Sequence, residues 1–412
     1  MTGEPDRTPA RSDPAGGGRL PGWVGRVPGP LAGLIGPAAV IGAAAGVVAA
    51  GVAVGVAAQR AALRQQALTR VEEGATGPAD EWTQPVGVTL GSLRGTVTTV
   101  RTDDGVDLQV DTDEAPDAPA GDPTVVLVHG FGLNADIWHF QRAALRGRHR
   151  LVVFDQRGHG RSGLPSAGSW TIDRLGLDLA EVLRAAVPTG PVVLVGHSMG
   201  GMAILALARA RPDLFGTRVV GVGLICSSAG DPPYAVGRPI AAFGPLDTLG
   251  ALAVSLGRGA TKASRVVTNT TLQLAGQAPA ITARARGVIQ PLEAAVTRRT
   301  SFARPVPARV AAFAGSVIAS TPVAVIAGFY LSFFDMDLYA STTVLRRIAT
   351  LVVSADQDRV TPAWHSAELA ARLPDAEVVV LEPAGHMAFL EYPARVSALV
   401  EDLLERVAGR SR

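Results

Sequence analysis

A run of apolar, mostly β-branched residues, Val192-Val-Leu-Val, passes directly into Gly196-His-Ser198-Met-Gly200-Gly. A serine enclosed by glycines at the end of such a run has the pattern of a nucleophile elbow, in which a strand reverses sharply into a helix. The reversal holds the serine in a strained backbone conformation, and only glycine-sized neighbours leave room for it. Three fixed positions in five recur by chance in a glycine-rich chain, so the plain alternative is an ordinary strand-to-helix turn. Context favours the chemical reading. Residues 192–195 read as a buried parallel strand and residues 199–209 as the helix that must follow. Ser198 is therefore the candidate nucleophile.

A serine hydroxyl is a weak nucleophile, and acyl transfer needs an imidazole to take its proton and a carboxylate to hold that imidazole in the right tautomer. Glu382-Pro-Ala-Gly-His386 follows the last strand pattern, which makes His386 the candidate base. The other six histidines have structural readings: His129, His159 and His197 lie in glycine-bearing loops, and His139, His149 and His365 in polar helical or turn segments. The acid should follow the preceding strand, where Leu351-Val-Val-Ser-Ala-Asp356-Gln-Asp358-Arg-Val-Thr-Pro362 offers two carboxylates. Asp358 is preferred because it stands in the turn that releases the chain toward Pro362. Asp356, nearer the strand, is the fallback and is expected to cap backbone amides. A tetrahedral intermediate also needs backbone donors. The Phe131 N–H in His129-Gly-Phe131-Gly132 and the Met199 N–H at the start of the elbow helix are the candidates.

These residues need a scaffold that brings strand ends to one edge. Strand patterns fall at residues 96–101, 106–110, 124–128, 151–155, 192–195, 219–225, 350–354 and 377–381, with helical segments between most of them. Asp103-Asp-Gly105 joins the first two as a hairpin, and residues 112–123, rich in Asp, Pro and Ala, read as a surface loop. Such alternation implies an α/β architecture with a mostly parallel sheet covered by helices on both faces. The rhythm breaks at residues 231–348, far more than one strand-to-helix unit uses, and an inserted helical lid is the economical explanation. The insert is arginine-rich and ends in an uncharged run over residues 310–334. That run is read as a cap burying its own apolar face, because Pro322 and the scattered Ser and Thr argue against a membrane span.

The 412 residues carry a net charge of +2 without a basic stripe, which speaks against a nucleic-acid partner. A single cysteine, Cys226, excludes an intrachain disulfide framework and reads as a buried inert thiol. The Ala-, Gly-, Val- and Arg-rich composition is of the kind found in high-GC bacteria. Residues 1–30 have the composition of a disordered tail. Residues 31–58 are uncharged, and a helix over 38–58 would be about 31 Å long, close to the hydrocarbon thickness of a bilayer. A single-pass anchor in a bacterial cell membrane, contacting lipid, is the expectation, with a cleaved signal peptide as its rival. Flanking arginines on both sides leave its orientation open. Residues 59–94 form a connector, and the catalytic domain is expected over 95–412.

From about residue 95 to 408 the chain resembles the α/β-hydrolase superfamily, in particular its esterase- and lipase-like serine members with a lid. The resemblance rests on Val128-His-Gly-Phe-Gly132, Phe154-Asp-Gln-Arg-Gly-His-Gly-Arg-Ser162, Gly196-His-Ser-Met-Gly-Gly201, the Asp358 turn and Gly385-His386. It implies the α/β-hydrolase fold with an eight-stranded sheet, Ser198 as nucleophile, Asp358 as orienting acid, His386 as general base, Phe131 and Met199 as oxyanion donors, and no metal or organic cofactor. Relatives that use an aspartate nucleophile, the epoxide hydrolases and haloalkane dehalogenases, are disfavoured by a serine here. The expected function is a membrane-anchored hydrolase of a carboxylic ester or related acyl bond in a hydrophobic small molecule, acting through an acyl-enzyme. Perhydrolysis of the cofactor-free haloperoxidase kind and carbon–carbon bond hydrolysis use the same triad. A non-catalytic, membrane-anchored binding protein is the reading from a different class.

Overall fold

A computed structural model describes residues 81–82, 88–166, 168–230, 301–333 and 336–410, all within the compact unit Val54–Arg412. The expected tail, the apolar span, most of the connector and residues 231–300 of the insertion lie outside the described residues. None of the described helices is long and apolar enough to cross a membrane.

Eight strands form one sheet: β1 Thr96–Arg101, β2 Asp107–Asp113, β3 Thr124–Val128, β4 Leu151–Phe154, β5 Val192–His197, β6 Val219–Ile225, β7 Ala349–Ala355 and β8 Glu377–Leu381, in the spatial order β1-β2-β4-β3-β5-β6-β7-β8. β1, β2 and β4 pair antiparallel, and every other neighbouring pair is parallel. Among the described residues the helices are α1 His139–Leu145, α2 Ile172–Ala186, α3 Met199–Ala210, α4 Ala308–Ser320, α5 Val323–Tyr330, α6 Thr342–Leu345, α7 Ala363–Arg372, α8 Ala388–Glu391 and α9 Pro393–Arg410.

Strand periodicity divides the apolar residues between two cores. Val126, Val128, Val152, Phe154, Val192 and Leu194 face α2 and α3, whereas Val125, Leu127, Leu151, Val153, Val193 and Val195 face α1 and α9. The central strands β3 and β5 are buried along their whole length, and the edge strand β8 alternates between exposed and covered positions.

The strands lie close to the expected positions, with one instructive difference. β2 runs on to Asp113 where the acidic composition reads as loop. Asp111 and Asp113 are buried in that strand because the Arg142 guanidinium of α1 reaches both, with Nη2 2.9 Å from Asp111 Oδ1 and Nε 2.5 Å from Asp113 Oδ2. The paired charge makes burial of the carboxylates tolerable, and the partner is too remote in sequence to be visible there. The uncharged run that starts at residue 310 is interrupted at Thr321-Pro322, which divides it between α4 and α5.

α2 is capped by Thr171, whose side chain accepts from Arg174 N, and packs tightly on α3 through Gly176. A methyl added at Gly176 would lie 2.6 Å from Leu207 N and 2.8 Å from Ala206 Cβ. Gly176→Ala is therefore expected to lower stability by about 1–3 kcal/mol through overpacking, less the gain of about 1 kcal/mol in helix propensity. A urea midpoint above wild type contradicts this close approach.

Candidate active site

β5 ends at His197, and Ser198 turns the chain into α3 with φ 51° and ψ −118°. Positive φ is costly for a residue with a Cβ, on the order of 1–3 kcal/mol, so the surroundings must impose it. Ser198 N donates to Ile225 O (2.9 Å), and Ser198 O accepts from Gly201 N and from Ser227 Oγ, both at 2.9 Å. The flanking glycines have a steric reason. A Cβ at Gly196 would lie 2.5 Å from Gly200 C, and one at Gly200 would lie 2.1 Å from Val128 O.

Asp358 follows β7 and is almost fully buried. Its Oδ1 accepts from Val360 N (2.8 Å) and Thr361 N (2.9 Å), and its Oδ2 accepts from Thr361 Oγ1 and His386 Nδ1, each at 2.9 Å. Burial pushes this carboxyl up, but the neighbouring His386 and the N–H donors outweigh it and hold it below the ordinary carboxylate range. Asp356 is exposed and accepts from Ala384 N (2.8 Å), so of the two candidates it caps backbone while Asp358 meets the imidazole.

His386 is fixed at its backbone as well as its ring. His197 Nε2 donates to His386 O (2.9 Å), with the two rings 4.7 Å apart, and Met387 N donates to Ser301 O (2.9 Å). Gly385 N donates to Glu391 Oε1 (2.7 Å). The His197 contact brings the residue beside Ser198 against His386, although no hydrogen bond joins the Ser198 hydroxyl to the His386 ring in this structure. Bonds of this kind are often long without substrate and tighten when it binds.

The loop carrying Phe131 passes beside the serine, for a Cβ at Gly130 would lie 3.2 Å from Ser198 Cβ and 2.7 Å from His197 Nδ1. Two buried histidines hold it. His129 Nδ1 donates to Gly130 O (2.8 Å) while its Nε2 accepts from Gln156 N (2.9 Å), and His159 Nδ1 donates to Arg157 O (3.0 Å) while its Nε2 accepts from Gly132 N (3.2 Å). Each ring can accept only when neutral. Met199 N opens the twelve-residue α3, where the helix dipole favours negative charge. Above the loop, Thr321 Oγ1 donates to Gly132 O (3.0 Å), and Phe131 meets Phe333 edge to face at 5.2 Å. Phe329 of α5 packs against Trp170 and His159.

Sequence reasoning did not find Thr361, His197 or Glu391, nor the particular bonds of His129 and His159. The one available signal was a glutamate, Glu391, placed in the apolar stretch after His386. Cys226 also has positive φ (46°), and burial beside Asp358 pushes its thiol well up, as an inert thiol requires. Among the described residues no three His, Cys, Asp or Glu side chains converge as a metal site.

Residues 125–399 match the model of the alpha/beta hydrolase family. The chain belongs to that family. Among proteins similar to this chain is Lipase LipV of Mycobacterium tuberculosis, 42% identical over 100 residues, which are 23% of this chain and 35% of that protein. Several of the curated relatives are likewise matched over well under half their length. The pimeloyl-[acyl-carrier protein] methyl ester esterase of Aromatoleum aromaticum is 29% identical over 282 residues, 68% of this chain and 98% of the esterase. A solved hydrolase from Pseudomonas aeruginosa PA01 superposes with a TM-score of 0.54 at 26% identity, covering 75% of this chain and 98% of its own.

The buried histidines of this chain give its stability a pH dependence of defined sign. Burial lowers His159 and His197 to about 3 and lowers His129 as well, against 6.5 for the free imidazole. The stability these neutral rings hold is complete above about pH 6.5 and lost progressively as pH falls toward about 3. The unfolding free energy, read through the urea midpoint, is expected to drop from about pH 6.5 to pH 5 on the order of 1 kcal/mol per pH unit for each such histidine. His159→Gln should make the dependence shallower. A midpoint that holds or rises on acidification contradicts the neutral assignment.

Proposed function

We propose that this alpha/beta hydrolase cleaves a carboxylic ester or related acyl bond of a hydrophobic small molecule through an acyl-enzyme on Ser198. The observation that carries the reading is the buried hydrogen bond from His386 Nδ1 to Asp358 Oδ2, held beside the strained Ser198 turn. The pimeloyl methyl ester esterase, matched over nearly its whole length, supports an ester as the scissile group.

In this mechanism substrate binding brings Ser198 Oγ within reach of His386 Nε2. As Oγ bonds to the carbonyl carbon, Nε2 takes the hydroxyl proton, and Asp358 stabilises the imidazolium without itself taking that proton. The Phe131 and Met199 N–H groups receive the developing oxyanion. The tetrahedral intermediate then expels the alcohol, which leaves with the proton from Nε2. Water repeats the sequence on the acyl-enzyme, giving the carboxylic acid and restoring the serine.

The apolar side chains around the oxyanion loop, Phe131, Phe333 and Phe329, support a hydrophobic substrate, with α4 and α5 as the described part of a lid. The uncharged stretch 31–58 supports a membrane anchor for the enzyme, a proposal that rests on sequence alone.

A fluorophosphonate probe is expected to label the wild-type protein and not Ser198→Ala, and labelling that survives the substitution would refute the nucleophile. His386→Ala should reduce kcat/KM toward p-nitrophenyl esters on the order of 10⁴-fold or more, with Asp358→Asn in a similar range. Near-normal turnover in either variant reassigns that role, and a preference for longer acyl chains among the p-nitrophenyl esters tests the hydrophobic-substrate reading. Carbonate washing should leave the full chain in the membrane pellet, whereas release to the supernatant counts against the anchor.

A further inference from the structure

Glu391 is the last residue of α8, five positions beyond His386, and it is completely buried. Both of its oxygens are engaged by backbone. Oε1 accepts from Gly385 N (2.7 Å), the amide just before His386, and Oε2 accepts from Ala303 N (3.1 Å) and Arg304 N (2.9 Å). One carboxylate thus fastens residues 303–304 of the insertion to the loop that carries the imidazole. The two segments touch elsewhere as well. Met387 N donates to Ser301 O, and a Cβ at Gly385 would lie 2.7 Å from Ser301 O and 2.9 Å from Ala303 N. The Arg304 guanidinium stacks over the Tyr392 ring (4.4 Å) and approaches that of Trp82 (5.3 Å), so the clasped segment is also gripped from outside.

A buried carboxylate without a paired guanidinium is expensive unless hydrogen bonds compensate it, and here three backbone N–H donors do so. Burial outweighs those three donors and leaves the Glu391 carboxyl raised above the ordinary carboxylate range, although each donor pulls it down. A purely apolar residue would fill the volume without joining the two segments. The carboxylate instead connects the amide next to His386 with a part of the chain that meets the sheet domain from the insertion.

We propose that Glu391 is a positioning residue for His386, holding the imidazole in register with Asp358 through the Gly385 amide and making that register depend on the seating of residues 301–304. The inference rests on the serine-hydrolase reading for its catalytic consequence, but the position of the ring can be measured without turnover.

The test compares full-length wild type with Glu391→Gln and Glu391→Asp. Glutamine presents an NH₂ where one of the oxygens now accepts, so it cannot satisfy both sides, and aspartate keeps the charge but is one methylene too short to span them. Toward a p-nitrophenyl ester, both variants are expected to lose about 10- to 100-fold in kcat, with KM moving less than about threefold. The low-field proton resonance of His386 Nδ1–H, assigned by its absence in His386→Gln, should broaden or shift in both. A folded variant with wild-type kcat and an unchanged resonance overturns the proposal, even if its Tm is lower, since that is the signature of a merely structural residue. If wild type carries the resonance but takes no fluorophosphonate and hydrolyses no ester, the enzymatic reading fails, and the resonance in the variants still decides the clasp. If neither variant folds, hydrogen exchange of wild type decides: the Gly385, Ala303 and Arg304 amides should open together, and independent opening overturns the proposal.

Discussion

The backbone at Ser198 is the constraint on which the rest of the site depends. An L-residue at φ 51° and ψ −118° is held there only because Ile225, Gly201 and Ser227 bind its peptide groups on two sides and because glycines stand where any side chain would collide with β3 or with the turn itself. The same close approach brings the Gly130 backbone against Ser198 and His197, so the loop after β3 and the elbow cannot be placed independently. Everything that reaches this edge of the sheet must fit around a turn with almost no free volume.

Neutral histidines do much of that fitting. His129 and His159 link the β3 loop to the loop after β4, and His197 links the elbow to the His386 peptide, each by a ring with its donor and acceptor sides fixed by neighbours or, for His197, by one donated bond. A charged side chain in these places would bring an uncompensated desolvation cost, and an apolar one would leave backbone groups without partners. The imidazole supplies directed bonds at low electrostatic cost, which suits a site where a separate imidazole is proposed to change charge during turnover.

Much of the scaffold is legible in sequence because its signals are local. Apolar runs such as residues 124–128 and 192–195 and the turn at Asp103-Asp-Gly105 declare strands and hairpin within a few residues. The order of Ser198, Asp358 and His386 along the chain likewise places them at the ends of three strands, and the contact between the last two follows from that topology. Glu391 is hidden for the opposite reason: its partners, residues 303 and 304, are nearly ninety positions away, and a lone acid in an apolar stretch does not reveal which amides it meets. The extension of β2 is hidden in the same way, because Asp111 and Asp113 are polar until Arg142 is brought to them. The apolar stretch 31–58 falls outside the described residues.

That arginine carries a consequence for how the antiparallel edge assembles. Asp111 and Asp113 are two residues apart and so project from the same face of β2, toward Arg142, while Arg146 adds a second cation to Asp113 at 3.2 Å. Sliding the strand by one position would turn both acids to the other side, leaving two carboxylates among apolar neighbours and a guanidinium with nothing to neutralise it. Ordinary hydrophobic alternation penalises such a slip gradually, residue by residue. Here the penalty falls all at once, so the ion cluster acts as an alignment key that admits a single threading of the hairpin onto the sheet.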